Sequence, residues 1–139
     1  MSEFVYKWCV SEEDYRIVCQ MMTDWGMAQI NRRMLSEYGA IVYKDEFPVC
    51  SGWLYQTDSK MAWIEWVVMN KQATKKQREG ALTFLFDVLF NQARALKYEV
   101  IMCVANHSSY IKKLKDGLGF IPDEKGMKQQ LFFKNLWRQ

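Results

Sequence analysis

Apolar and polar positions along the chain predict eleven elements in the order β-α-α-β-β-β-α-β-α-β-β. Phe4 to Val10 (FVYKWCV) reads as a strand. Ser11 then takes an N-cap position, with Glu12, Glu13 and Asp14 placing negative charge in the first turn of a helix. Along that helix Tyr15, Val18, Cys19 and Met22 recur at helical spacing. Gly26 interrupts the pattern, and MAQINRRMLSEYG predicts a second short helix that stops at Gly39. AIVYK and VCSGWLYQT flank the polar turn DEFP as a hairpin, and TDSK leads into a further strand, MAWIEWVVMN. A long helix is predicted from about Lys76 to Leu96. YEVIMCVA then reads as a strand buried on both faces. NHSSYIKKLKDG is a short helix, and LGFI and QQLFFKNLW are the last two strands. This is one α/β (α+β) domain over 1–139, with a mixed sheet of about seven strands.

A chain of 139 residues can bury a substantial core as a single domain. Its 50% hydrophobic and 15% aromatic content excludes an intrinsically disordered protein. The formal charge of +3 is too mild for a dedicated nucleic-acid binder, but it leaves room for a local basic patch. Cys9, Cys19, Cys50 and Cys103 are far apart in apolar stretches, without CxxC or metal-ligand spacing. With one histidine in the chain, no metal site is expected. Free buried thiols, no targeting stretch in MSEFVYKW and no bilayer-length apolar run lead to the expectation of a cytoplasmic protein.

Candidate chemistry gathers in WIEWVVMNKQATKKQREGALTFLFDVL, from Trp63 to Leu89. Gly80 at a strand-to-helix turn permits close backbone approach. The first N–H groups of the helix that follows lack internal partners and carry the positive end of its dipole, which suits a pyrophosphate. Lys71, Lys75, Lys76 and Arg78 add attraction for an anion. A solvated basic loop that only caps a helix is the alternative. Glu65 lies mid-strand among Trp63, Ile64, Trp66 and Val67, where desolvation favours taking up a proton, the requirement for a general base. A carboxylate on the solvent face is the competing reading. Trp53, Tyr55, Trp63 and Trp66 fall on adjacent strands, either as cross-strand core or as an aromatic platform for an acceptor. Between Ala81 and Phe90 only Thr83 and Asp87 are polar, a stripe wider than one sheet covers. LFFKNLW, anchored by Trp137, or a second subunit in a homodimer would cover the rest.

With these local sequences, the order of elements resembles the GNAT superfamily of acyl-CoA-dependent N-acyltransferases. Three places carry the resemblance: WIEWVVMN feeding Gln77-Arg78-Glu79-Gly80-Ala81, YEVIMCVA followed by Asn106, and the helix ending LKDGLGF. Gln77 and Gly80 match the superfamily's Gln/Arg-x-x-Gly-x-Gly/Ala motif, with Leu82 at its final, small position. The long loop between strand and helix is similar to small bacteriophage members. The resemblance implies a mostly antiparallel sheet and transfer of an acyl group, most simply acetyl, from acetyl-CoA as co-substrate to a primary amine. It implies that Lys76, Gln77, Arg78, Gly80 and Ala81 hold the diphosphate. Backbone groups of Val67, Val68 and Met69, with Asn106, would hold the pantetheine arm. Glu65 is implied as base. The superfamily's usual acid, a tyrosine, falls at Lys115, and Tyr110 one turn or so earlier is the substitute candidate. Two alternatives stand beside this: a GNAT-fold interaction protein that has lost catalysis, and a phage nucleobase-modifying transferase of the same fold.

Overall fold

The computed structural model describes residues 3–105, 108–123 and 130–136. Seven strands, β1 (Phe4–Trp8), β2 (Tyr38–Lys44), β3 (Phe47–Tyr55), β4 (Met61–Met69), β5 (Val100–Ala105), β6 (Ile121–Asp123) and β7 (Gln130–Asn135), form one sheet in the order β1-β2-β3-β4-β5-β7-β6. All pairings are antiparallel except β4 with β5. Helix α1 (Glu12–Asp24) packs on one face of the sheet. α2 (Lys75–Arg78) is a single turn, α3 (Ala81–Ala95) covers the other face, and α4 (Ser108–Lys112) runs on into a π-helical turn, Lys113–Gly117.

The two faces bury separate cores. Between the sheet and α3 lie Ala40, Val42, Leu54, Ile64, Leu85, Phe86, Leu89, Ile101 and Phe132. Between the sheet and α1 lie Val18, Met21, Met22, Ile41, Trp53 and Val68. The predicted β2–β3 hairpin forms, with Phe47 and Pro48 of the expected DEFP turn already in β3. Asp45 and Glu46 both take positive φ (51° and 67°), as a two-residue type I′ hairpin turn requires.

α1 begins on a reciprocal cap: Ser11 Oγ accepts from the Asp14 amide, and Asp14 Oδ2 accepts from the amides of Ser11 and Val10. Asp14 is buried and also meets Lys7 Nζ at 2.9 Å. Burial pushes its carboxyl up. The bonds from Lys7 and from the Ser11 and Val10 amides outweigh that and hold it down to about 2, from an ordinary 3.8. A depressed carboxyl stabilises the fold above its unfolded value and loses that contribution as pH falls towards the folded one. Asp14→Asn is therefore expected to cost about 2 kcal/mol at neutral pH. The difference between variant and natural chain should shrink between pH 3.8 and 2 in urea-denaturation midpoints.

The structure departs from the sequence expectation in three places. Met27 to Glu37 is not a second helix: only a 3₁₀ turn, Arg32–Met34, forms there. Tertiary partners take its polar groups instead. Tyr15 Oη donates to the Ile30 carbonyl, and Arg32 bonds Glu12 and the Val10 carbonyl. The extended path lets both Ile30 and Leu35 reach the α1-side core. Gly39 is no helix stop but a strand residue in β2, opposite Trp53. The long helix from Lys76 to Leu96 breaks at Glu79–Gly80, because Gly80 sits in the left-handed region (φ 82°) and starts α3 afresh.

The wide apolar stripe of α3 is covered within the chain. Phe4 and Tyr6 of β1 pack at a tilt on Phe84 (ring centroids 5.7 and 6.5 Å apart), and Phe86 meets Tyr110 and Phe120 at 6.4 and 5.9 Å. The argument for a second subunit on that stripe falls with this. Leu136 packs into the α3-side core, while Trp137 lies outside the described residues.

Candidate active site

β4 and β5 are paired over three couples only, from Met61↔Val100 to Trp63↔Met102. Beyond that point β4 stays with β3 as far as Cys50↔Met69, and β5 stays with β7 as far as Ala105↔Gln130. The sheet is therefore split between its two parallel neighbours. The split begins at a bulge. Trp53 pairs with Glu65 and Ser51 with Val68, so Trp66 and Val67 share the single partner position of Gly52. Trp66 is forced to φ 58°, a conformation costing a bulky residue about 1–2 kcal/mol. The extra residue turns Glu65 and Trp66 to the same cleft. Gly52 stands opposite, where a Cβ would lie a tight 3.2 Å from the Leu85 and Val67 side chains. A glycine inside an apolar strand was the one sequence signal for this bulge.

The split leaves β4 peptide groups facing the opening. The Asn70 amide donates to the Val49 carbonyl of β3 (2.7 Å). Ladder alternation then turns the peptide groups of Met69 and Val67 away from β3, and those of Val68 towards it. Trp25, at the end of α1, donates its indole N–H to the Met69 carbonyl (2.6 Å), with Lys71 Nζ 5.1 Å from its ring. Asn70 fixes the exit of the strand, donating to the Pro48 carbonyl and accepting from the Gln72 amide.

The loop that follows is ordered by its own residues. Thr74 Oγ1 accepts from the Gln77 amide, and Gln77 Oε1 accepts from the Thr74 amide (2.8 Å), so Gln77's side chain is committed to a capping box. Lys75, Lys76 and Arg78 remain exposed around it. Gly80 caps α3 with no side chain, and the first internal bond is Phe84 N–H to the Gly80 carbonyl. The amides of Ala81, Leu82 and Thr83 thus have no helical partner. Leu82 packs against the α3-side core, and Ala81 is fully buried. An uncapped, glycine-led helix end beside three exposed cations fits a diphosphate.

On the α1 side of β4 lies a cleft of about 350 Å³, lined by Met34, Tyr55, Thr57, Trp63, Glu65 and Trp66. Trp53, the fourth predicted aromatic, is instead buried in the core. Trp63 Nε1–H and the Trp66 amide donate to the two oxygens of Glu65 (3.1 and 3.3 Å). Trp66 Nε1–H donates to Tyr55 Oη (2.9 Å), which in turn donates to the Met34 carbonyl (3.0 Å). That relay ties the Met27–Glu37 segment to the bulge.

Tyr110, on α4, is partly buried against the α3-side core. Burial pushes its phenol far up, and the charges of Cys103 and Glu65 and a hydrogen bond with Cys103 add to the shift. It is a phenol that keeps its proton, near enough to Glu65 to feel that carboxylate. Cys103, pushed up to about 12 mainly by burial, stays a thiol. Lys115 is exposed on the π turn, and Asn106 lies outside the described residues.

This is the GNAT fold. No family model and no curated protein matches the sequence, but solved structures do. N-acetylglutamate synthase from Neisseria gonorrhoeae, complexed with coenzyme A and N-acetyl-glutamate, aligns with 99% of this chain at a TM-score of 0.74 and 12% identity. This chain spans about a third (36%) of that protein's length. Diaminobutyrate acetyltransferase from Paenibacillus lautus, bound to diaminobutyric acid and coenzyme A, aligns over 100% of this chain and 99% of its own (TM-score 0.71, 14% identity). A GNAT-family acetyltransferase from Staphylococcus aureus aligns over 96% and 99% (TM-score 0.73, 9% identity).

Proposed function

We propose that the protein is an N-acyltransferase that moves an acyl group, most simply acetyl, from acyl-CoA to a primary amine. The carrying observation is the split between β4 and β5 at a strained bulge, with the uncapped start of α3 at its end. Backbone groups of Val67 and Met69 face the opening where an extended amide-bearing arm would lie, and Asn106 would help orient that arm. Lys76, Arg78, Gly80 and Ala81 frame the diphosphate position, with Gln77 bracing the loop rather than reaching out. An N–H aimed at the developing oxyanion is the main electrostatic device such a site offers, worth about 3 kcal/mol.

Glu65, held by two N–H donors, takes a proton from the acceptor ammonium. The freed lone pair forms the C–N bond at the thioester carbonyl as the C–S bond breaks. The departing thiolate, hydrogen-bonded by the Tyr110 phenol, takes the second proton of the new amide. One proton per turnover goes to solvent. Much of the rate then rests on positioning.

Acetyl-CoA is expected to raise Tm, by the equivalent of about 3 kcal/mol at a hundredfold excess over Kd and rising with the logarithm of concentration beyond it. Lys76→Glu with Arg78→Glu should weaken this at least about tenfold by removing the anion attraction. Desulfo-CoA should stabilise as well, and ATP weakly or not at all. No shift at millimolar acyl-CoA would sink the transferase reading and leave the interaction-protein alternative.

A further inference from the structure

The acceptor side of the cleft has a composition that selects among amines. Resting on the transferase reading, we infer that the acceptor is a primary amine on an apolar body, an alkyl- or arylalkylamine without a carboxylate next to its nitrogen. Three observations carry this. Among the described residues, the lining comprises three aromatic rings, one methionine, one threonine and one carboxylate, with no lysine or arginine to pair a substrate anion. A substrate carboxylate there would lie beside Glu65, a like charge, with no cation in the lining to pair it. The carboxylate is also built for an ammonium. Trp63 Nε1–H and the Trp66 amide occupy one site on each oxygen and fix its direction, leaving the other lone pairs for N–H donors.

The rings supply the remainder. Aromatic surfaces attract a cation, and the attraction grows as water is excluded. Trp66 and Tyr55 are locked through Tyr55 to the Met34 carbonyl, so this wall is preorganised. A volume of about 350 Å³ suits a small amine, at the low end of ligand-site sizes. Met34, 68% exposed at the rim, is an adaptable apolar side chain suited to bodies of differing shape. The solved neighbours named for glutamate and diaminobutyrate products or substrates act on amino acids. This cleft is built against them.

A matched pair tests the inference: phenethylamine and phenylalanine share ring and amine and differ in the carboxylate. With acetyl-CoA saturating, kcat/KM for phenethylamine should exceed that for phenylalanine about a hundredfold, since an uncompensated like charge costs several kcal/mol. Phenethyltrimethylammonium, which has no N–H to acylate, should compete with phenethylamine and quench tryptophan fluorescence saturably. Trp63→Leu should raise its Kd about tenfold while the Kd of acetyl-CoA stays unchanged, which also certifies the fold. Equal or better turnover of phenylalanine, or turnover confined to a peptide N-terminus, would overturn the inference and leave the transferase standing. Saturable ammonium binding lost in Trp63→Leu, with no acetyl transfer to any amine, would leave the amine site standing and remove the transferase. Absence of both quenching and competition would overturn the inference outright.

Discussion

Gly39→Ala is expected to lower Tm by about 10 °C, the counterpart of about 3 kcal/mol in a domain of this size. The reason is steric, because Gly39 has no positive φ to relieve. A Cβ built there would stand 2.1 Å from Trp53 Nε1 and 2.3 Å from Cε2. The indole lies over the glycine directly opposite it in the β2–β3 ladder. Trp53 is 1% exposed in a core that also holds Ile41, Val68, Met21 and Met22, so it has nowhere to move. A double-mutant cycle separates this clash from ordinary loss of strand stability. Trp53→Leu alone is destabilising through its cavity. Once the indole is gone, adding Gly39→Ala should cost under about 1 kcal/mol. Strict additivity in urea denaturation would show that the glycine serves something other than the tryptophan.

Glu65→Gln is expected to reduce kcat/KM by about a hundredfold to ten-thousandfold at neutral pH, the range a positioned general base contributes. Glutamine keeps one oxygen, enough to accept from either Trp63 or Trp66, and turns its NH2 to the other donor, so Tm should fall modestly while acetyl-CoA affinity changes little. Its signature is the pH dependence of the remaining activity. Without a protein base, the reaction depends on the acceptor reaching the site already deprotonated. The variant should therefore gain on the natural enzyme as pH rises towards the amine's own pKa. A variant uniformly slower at every pH would assign Glu65 to binding the ammonium alone. A variant as fast as the natural chain would remove Glu65 from the mechanism.

Glu65 also shows what periodicity could and could not say. Alternation along MAWIEWVVMN identified a strand, and Glu65 was evident as its one carboxylate. Which later residues share its face depended on a bulge, because a bulge shifts the pattern by one residue and reverses the side of everything after it. Glu65 and Trp66 share a cleft because β4 carries one residue more than β3. The relay Trp66–Tyr55–Met34 links three segments far apart in sequence and left no local trace.

What the sequence determined by itself were features whose causes are local. Ser11 and Asp14 cap α1 because a hydroxyl and a carboxylate three residues apart satisfy each other's amides. The polar stretch after AIVYK closes a hairpin, at Asp45–Glu46. With the resemblance those causes support, the seven-stranded, mostly antiparallel sheet followed. The tertiary structure decided what depends on distant partners. Met27 to Glu37 forms no more than a 3₁₀ turn because the Ile30 carbonyl and Arg32 bond α1 and the chain before it, outweighing helical propensity. Gly39 belongs to a strand because Trp53 needs the space above it. The apolar surface of α3 requires no second subunit because β1 and the segment around Tyr110 and Phe120 close over it. Helical periodicity shows how wide an apolar face is. What covers that face is set by contacts between segments remote in sequence.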